Sequence, residues 1–127
     1  MKWSLIIQQI LNSYVNNLQD CGRISVTKED AKWEIEKMPS PRVLGDMFIL
    51  PNGQVLIING AKRGTAGWEN ADDANLTPVL YNPKKPSGNR FKELAPTTIP
   101  RMYHSAGAVL PDGKILLAGS NPHSRYQ

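Results

Sequence analysis

Two stretches of the chain are copies of each other, and no other feature restricts the fold so sharply. Residues 42–60 read RVLGDMFILPNGQVLIING, and residues 101–119 read RMYHSAGAVLPDGKILLAG. Both open on arginine, carry Leu-Pro-(Asn/Asp)-Gly near the middle, continue through a polar residue into an aliphatic run and close on glycine. Measured from arginine to arginine the spacing is 101 − 42 = 59 residues, and the copies are expected to superpose at that spacing. Each copy reads as a β-hairpin. An apolar strand over 47–50 or 106–110 meets a Pro-(Asn/Asp)-Gly turn, in which proline presets φ and glycine accepts a positive φ. A second strand returns through 55–58 or 115–117. These runs are apolar on both faces, so they are expected to be inner strands covered on each side.

Two more strands are expected between the copies. Residues 78–81 (PVLY) stop at Asn82-Pro83, and residues 90–94 (RFKEL) alternate apolar and polar as a half-exposed outer strand does. Residues 32–36 (KWEIE) alternate in the same way before Arg42, so Trp33 takes the part in the first copy that Phe91 takes in the second. The repeating unit is then four antiparallel strands. Four-stranded units repeating every 40–60 residues or so are the blades of a β-propeller. The expected fold class is all-β, a partial kelch-like propeller of roughly one blade and two half-blades. A closed propeller needs at least four blades, so further blades, or other copies of the chain, are expected to complete it.

Composition narrows the function classes. Gly and Pro together contribute 20 of 127 residues, which suits turn-rich β structure. The net charge is +4, but Lys and Arg are scattered, Lys84-Lys85 is the densest pair, and no basic-aromatic stripe points to nucleic acid. No apolar run is long enough for a membrane-spanning helix. A single cysteine, Cys21, excludes an internal disulfide framework and a Cys-rich zinc site, and two histidines, His104 and His123, leave few ligands for a multi-His metal centre.

The first residues read differently. Trp3, Ile6, Ile7, Ile10, Leu11, Tyr14, Val15 and Leu18 recur at helical spacing, so a short amphipathic helix is expected over residues 1–19, ahead of a β domain over 20–127. Its apolar stretch breaks at Gln8-Gln9 and no small-x-small cleavage site follows, so it is not a convincing signal peptide.

The segments CGRI (21–24), WEIEKMPSPRVLGDMFILPNGQVLIINGAKRGTAGWE (33–69), PVLYNP (78–83) and IPRMYHSAGAVLPDGKILLAGSNPH (99–123) together resemble plant glyoxal oxidase-like proteins, of the galactose oxidase and kelch-like copper radical oxidase group. The resemblance covers residues 20–123 and leaves 1–18 outside it. It implies a seven-bladed propeller followed by a β-sandwich, an extracellular location, and one copper ion. It also implies oxidation of a small aldehyde or primary alcohol by O₂, with release of hydrogen peroxide.

By the same resemblance, Arg101-Met102-Tyr103-His104-Ser105 supplies two copper ligands. Tyr103 would be the axial tyrosine and catalytic base, and His104 an equatorial imidazole. The chemistry is reasonable on its own terms, since Cu(II) takes imidazole nitrogen and oxygen donors in tetragonal arrangements. A nearby cation also lowers a phenol pKa from its usual value of about 10. Adjacent strand residues face opposite ways, so both can be ligands only at an irregular strand end. At the arginine-to-arginine spacing the first copy has Leu44-Gly45 in their place, which makes Tyr103 and His104 surplus to the hairpin. A buried aromatic beside a satisfied polar residue is the plainer alternative.

Substrate oxidation moves two electrons, and one copper moves one. The family supplies the other from a tyrosyl radical on a ligand cross-linked to cysteine. Neither that tyrosine, nor its cysteine, nor the second histidine ligand has a match in this sequence. Cys21 and His123 lie in other segments and are not given those roles. The chain alone is therefore expected to be inactive, and a non-catalytic kelch-like interaction module is the competing expectation. Weaker signals remain. Trp68 in Gly64-Thr65-Ala66-Gly67-Trp68 reads as a loop residue against the sheet or a substrate contact. Asn75-Leu76-Thr77 is a glycosylation sequon, and Asp72-Asp73 is an acidic pair in a polar turn.

Overall fold

The computed structural model describes residues 4–8 as backbone and residues 19–120 in full. Among these residues the chain forms eleven strands and no helix. In chain order they begin with β1 (Ser4–Gln8), β2 (Asp20–Ser25) and β3 (Glu34–Lys37). Next come β4 (Asp46–Ile49), β5 (Val55–Ile58), β6 (Ala61–Gly64) and β7 (Ala71–Ala74). The last are β8 (Val79–Tyr81), β9 (Phe91–Glu93), β10 (Ser105–Val109) and β11 (Ile115–Gly119). All pairings are antiparallel, in sheets ordered β1-β2-β3, β4-β5-β8-β9, β6-β7 and β10-β11.

The four-stranded sheet contains the four segments that the sequence marks between residues 47 and 94. Its second strand, VLII, is buried throughout because aliphatic residues on both faces are covered. Val55, Ile57, Val79 and Tyr81 form the core with Cys21 and Met38 from the β1–β3 side, and Met47 and Phe91 pack on its edge. Phe91 and Tyr81 lie opposite each other in the register with ring centroids 5.1 Å apart. Burying a side chain such as Ile57, which is fully enclosed, contributes about 2–3 kcal/mol. Trp33 precedes β3 and is about half exposed, so it does not take the position that Phe91 holds against the core. Instead its ring lies over Gly22, where an added Cβ would come within 3.1 Å of it.

Further expectations are corrected. Where the helix of residues 1–19 falls on described residues, the chain is extended: Ser4–Gln8 pairs with β2, Ser4 opposite Ser25 and Gln8 opposite Cys21. The β-branched pair Ile6-Ile7 suits a strand, and pairing along β2 overrides the helical spacing. Residues 1–3 and 9–18 of that expectation lie outside the described residues. Second, the hairpins superpose at 60 residues rather than 59. The turn bonds Leu50 N to Gln54 O and Gly53 N to Leu50 O recur at Leu110, Lys114 and Gly113, and 110 − 50 = 60. The ladder pair Asp46↔Ile58 likewise recurs as Ala106↔Ala118. One extra residue lies between the arginine and the turn of the second copy. Third, the second hairpin is not covered on both sides: Ala106, Ala108, Leu116 and Ala118 are exposed.

The β6–β7 ribbon has no apolar signal in the sequence. Charge pairs line it instead, Arg63 with Asp72 at 3.0 Å and Lys62 with Asp73 at 3.7 Å, so Asp72-Asp73 lies on a strand and not in a turn. Two buried arginines help join the sheets. Arg42 is buried and donates to the carbonyls of Asn59, Thr77 (2.6 Å) and Asn75 (3.5 Å), which holds the ends of β5 and β7 together. Arg90 donates to Glu36 on β3 at 2.6 Å, and both side chains are more than nine-tenths buried.

Candidate functional site

Tyr103 and His104 occupy a turn immediately before β10. Ser105 N donates to Met102 O at 3.1 Å and closes that turn. His104 has φ 59, a left-handed backbone that interrupts strand alternation. Its consequence is visible in the rings. Instead of facing opposite ways, the phenol and imidazole stack with centroids 3.9 Å apart and planes 19° from parallel. Tyr103 is half-buried and His104 is exposed.

The turn is held from both hairpins. From its own side, Ser120 N donates to His104 O at 3.2 Å, and Met102 N donates to Ser120 Oγ at 2.8 Å. Arg101 donates to Gly119 O at 2.7 Å. From the first hairpin, Gly60 N donates to Arg101 O at 2.7 Å. Asp46 Oδ2 accepts from Asn59 Nδ2 at 2.8 Å and from Ser105 Oγ at 3.4 Å. The ring of Phe48 lies against Gly107, so closely that a Cβ there would meet it. Sequence reading did not single out Asp46 or Asn59. The signal that could have found them is that, at the spacing of 60, their counterparts are Ala106 and Gly119.

The donor types at the turn suit Cu(II), which takes imidazole nitrogen and phenolate oxygen. The stacking presents both side chains on one side of the backbone, as two ligands of one ion require. As donor types, a phenol and an imidazole could hold two positions of such a set. Among the described residues, no group of three or more His, Cys, Asp or Glu is arranged to hold a metal.

The other sequence candidates lie apart from this pair. Trp68 is 52% exposed in the loop that joins β6 and β7. Cys21 is buried in β2, its thiol pushed up to about 11 by burial and then by the charge of Glu36. Asn75 is buried, and its Nδ2 donates to Ser40 Oγ and Pro41 O. His123 lies outside the described residues. Among the described residues, no helix is long and apolar enough to cross a membrane.

Residues 4–127 match the family model described as the glyoxal oxidase N-terminus, which extends the similarity to residue 4, beyond the 20–123 read from the motifs. The chain is 62% identical over 110 residues to the protein Art an 7 of Artemisia annua, a stretch that is 86% of this chain and 18% of that protein. It is 56% identical over 110 residues to the aldehyde oxidase GLOX1 of Arabidopsis thaliana, which is 87% of this chain and 18% of that one. Among solved structures, a fungal alcohol oxidase of the AA5 family in complex with copper superposes with a TM-score of 0.64 at 18% identity. That superposition covers 80% of this chain and 21% of the oxidase, and it shows a shared fold. The chain thus spans about a fifth of the length of each of these three proteins.

Proposed function

The chain belongs to the glyoxal oxidase N-terminal family, and from that premise we propose that it is the part of a copper radical oxidase that contributes the Tyr103–His104 donor pair. Residues 20–127 are read as a portion of a kelch-like propeller, with β4-β5-β8-β9 as one blade and β10-β11 as half of the next. The observation that supports this most directly is the stacked pair at a left-handed turn, which presents phenol and imidazole together.

In this reading Tyr103 Oη and one imidazole nitrogen of His104 hold the copper. The metal, when bound, supplies a one-electron acceptor. Tyr103 as phenolate takes the hydroxyl proton of a primary alcohol, or of a hydrated aldehyde, as general base. Tyr103 is half-buried and His104 exposed, so both rings keep a solvent-facing part at the turn. The substrate loses two electrons and two protons, and O₂ takes both to become H₂O₂. The second electron requires a redox-active group beyond Tyr103 and His104, so the chain alone is expected not to turn over. An extracellular location follows from the same family reading.

The test is peroxide production by the intact protein that carries this segment, with glyoxal-type aldehydes and primary alcohols and with copper loaded. Tyr103→Phe and His104→Ala are each expected to reduce it by at least a hundredfold. Undiminished activity in both variants would overturn the assignment of the pair, and absence of peroxide from the intact parent protein would favour the non-catalytic module.

A further inference from the structure

We propose that Asp46 is a positioning residue for the Tyr103–His104 pair, reaching from the first hairpin to fix the turn of the second through Ser105. The inference rests on the reading of that pair as copper donors, but the placement of the turn is testable without metal.

Asp46 opens β4 and is half-buried. A carboxylate in such a place needs donors, and it has two: Asn59 Nδ2 at 2.8 Å and Ser105 Oγ at 3.4 Å. Ser105 follows His104 directly, and its N–H closes the turn. Asn59 is itself constrained. Its backbone is left-handed (φ 62), which asparagine tolerates better than most residues, and its carbonyl accepts from Arg42. Its amide is thereby aimed at Asp46. The next residue, Gly60, donates its N–H to Arg101 O at 2.7 Å. The open end of the first hairpin, Asp46 on one strand and Gly60 after the other, therefore holds both ends of the turn that carries the pair.

The repeat shows that this arrangement is not needed to build a hairpin. At the spacing of 60, Asp46 and Asn59 correspond to Ala106 and Gly119, neither of which has a side-chain hydrogen-bonding group. Their hairpin nevertheless forms with the same register and the same turn. The Asp46–Asn59 pair is thus additional to the unit, and it is directed at the neighbouring turn. At 3.4 Å the Ser105 contact is longer than the usual hydroxyl hydrogen bond. Its effect is orientation more than stability, so its loss should move the rings before it unfolds the sheet.

The experiment begins with the metal-free full chain. Proton NMR of the His104 imidazole, assigned with His104→Gln, reports the ring current of stacked Tyr103. Asp46→Ala is expected to move these resonances toward those of Tyr103→Leu, while the amide fingerprint of β4 and β5 is retained. Asp46→Asn keeps an acceptor oxygen and is expected to restore the parent positions. Ser105→Ala, which leaves the Asn59 bond intact, reproduces the Asp46→Ala shift and serves if that variant loses its fold. Titration with Cu(II) ions then reads the consequence: Asp46→Ala is expected to weaken binding about tenfold. If Asp46→Ala and Ser105→Ala both leave the His104 resonances at their parent positions, the inference is overturned whatever the copper result. If they move the resonances but the parent chain does not bind Cu(II), positioning stands, and the copper reading is decided by the peroxide assay of the intact protein.

Discussion

Leu44 and His104, sixty residues apart, hold the same left-handed backbone, with φ of 58 and 59. Side-chain-bearing residues enter that region at a cost of about 1–2 kcal/mol. The repeat demands it twice, just before β4 and just before β10, so the turn belongs to the hairpin unit and only its side chains differ. Leu44→Asn should leave the urea unfolding midpoint unchanged or raise it, since asparagine tolerates this backbone. Leu44→Val should lower stability by about 1–2 kcal/mol, because branching at Cβ worsens the clash.

The same pair shows what was legible in the sequence. The strands β4, β5, β8 and β9 were readable because apolar runs and Pro-Asn-Gly punctuation set them apart. The arginines at both starts invite an alignment at 59, one residue short of the spacing of 60 at which the hairpins superpose. Arg42 and Arg101 do equivalent work, each donating to the carbonyl of the equivalent residue, Asn59 or Gly119, but they reach it from positions that differ by one. At the spacing of 60, Tyr103-His104 face Val43-Leu44, not Leu44-Gly45. The β6–β7 ribbon was unreadable because its strands AKRG and ADDA pair through charge and backbone and bury little. Tyr103 and His104 could be picked out by motif, but the turn that stacks them could not.

Acid should loosen the contact between β3 and the β8–β9 side. Burial alone would raise the Glu36 carboxyl. Hydrogen bonds from Gly88 N–H, Arg90 and Ser87, with the charge of Arg90, outweigh it and hold Glu36 below the usual carboxylate range. A depressed folded-state value gives stability that is present above the unfolded pKa of about 4.3 and lost as pH falls through the folded value. The melting temperature of the parent chain should therefore fall as pH drops below about 4. Glu36→Gln should lower it at neutral pH and flatten that acid slope. Glu36→Ala, which leaves Arg90 buried without its main partner, should cost roughly 3 kcal/mol.

Cys21 should be chemically silent while the fold holds. It is 3% exposed, and burial followed by the charge of Glu36 raises its thiol to about 11. Only a trace is thiolate at pH 8, and that trace is shielded from solvent. Alkylation by iodoacetamide should be slow in buffer and rise to the rate of a free cysteine in denaturant. A fast native reaction would show that β2 opens. Cys21→Ala should cost stability through lost packing and leave Cu(II) binding unchanged, since the residue belongs to the core cluster with Ile57 and Tyr81.

The sequon at Asn75-Leu76-Thr77 should carry no glycan in folded protein. A sugar attaches to the asparagine amide nitrogen, and that nitrogen already donates to Ser40 Oγ at 2.8 Å and Pro41 O at 2.9 Å. Asn75 is 3% exposed, its Oδ1 accepts from Thr77 N, and its backbone N–H donates to Gly60 O. A glycan there would take one of the two Nδ2 hydrogens that make these bonds and force bulk between the segment before Arg42 and the strand ends it holds. Mass spectrometry of the chain passed through a secretory host should find the Asn75 peptide unmodified in the folded fraction, with any modified chain in the aggregate. Asn75→Ala should cost about 2 kcal/mol, since it strands the buried groups it pairs. Thr77→Ala removes the sequon but keeps those bonds, because Thr77 takes part through its backbone, and it should be close to neutral. A folded, glycosylated Asn75 would mean that the segment around Ser40 and Pro41 packs elsewhere.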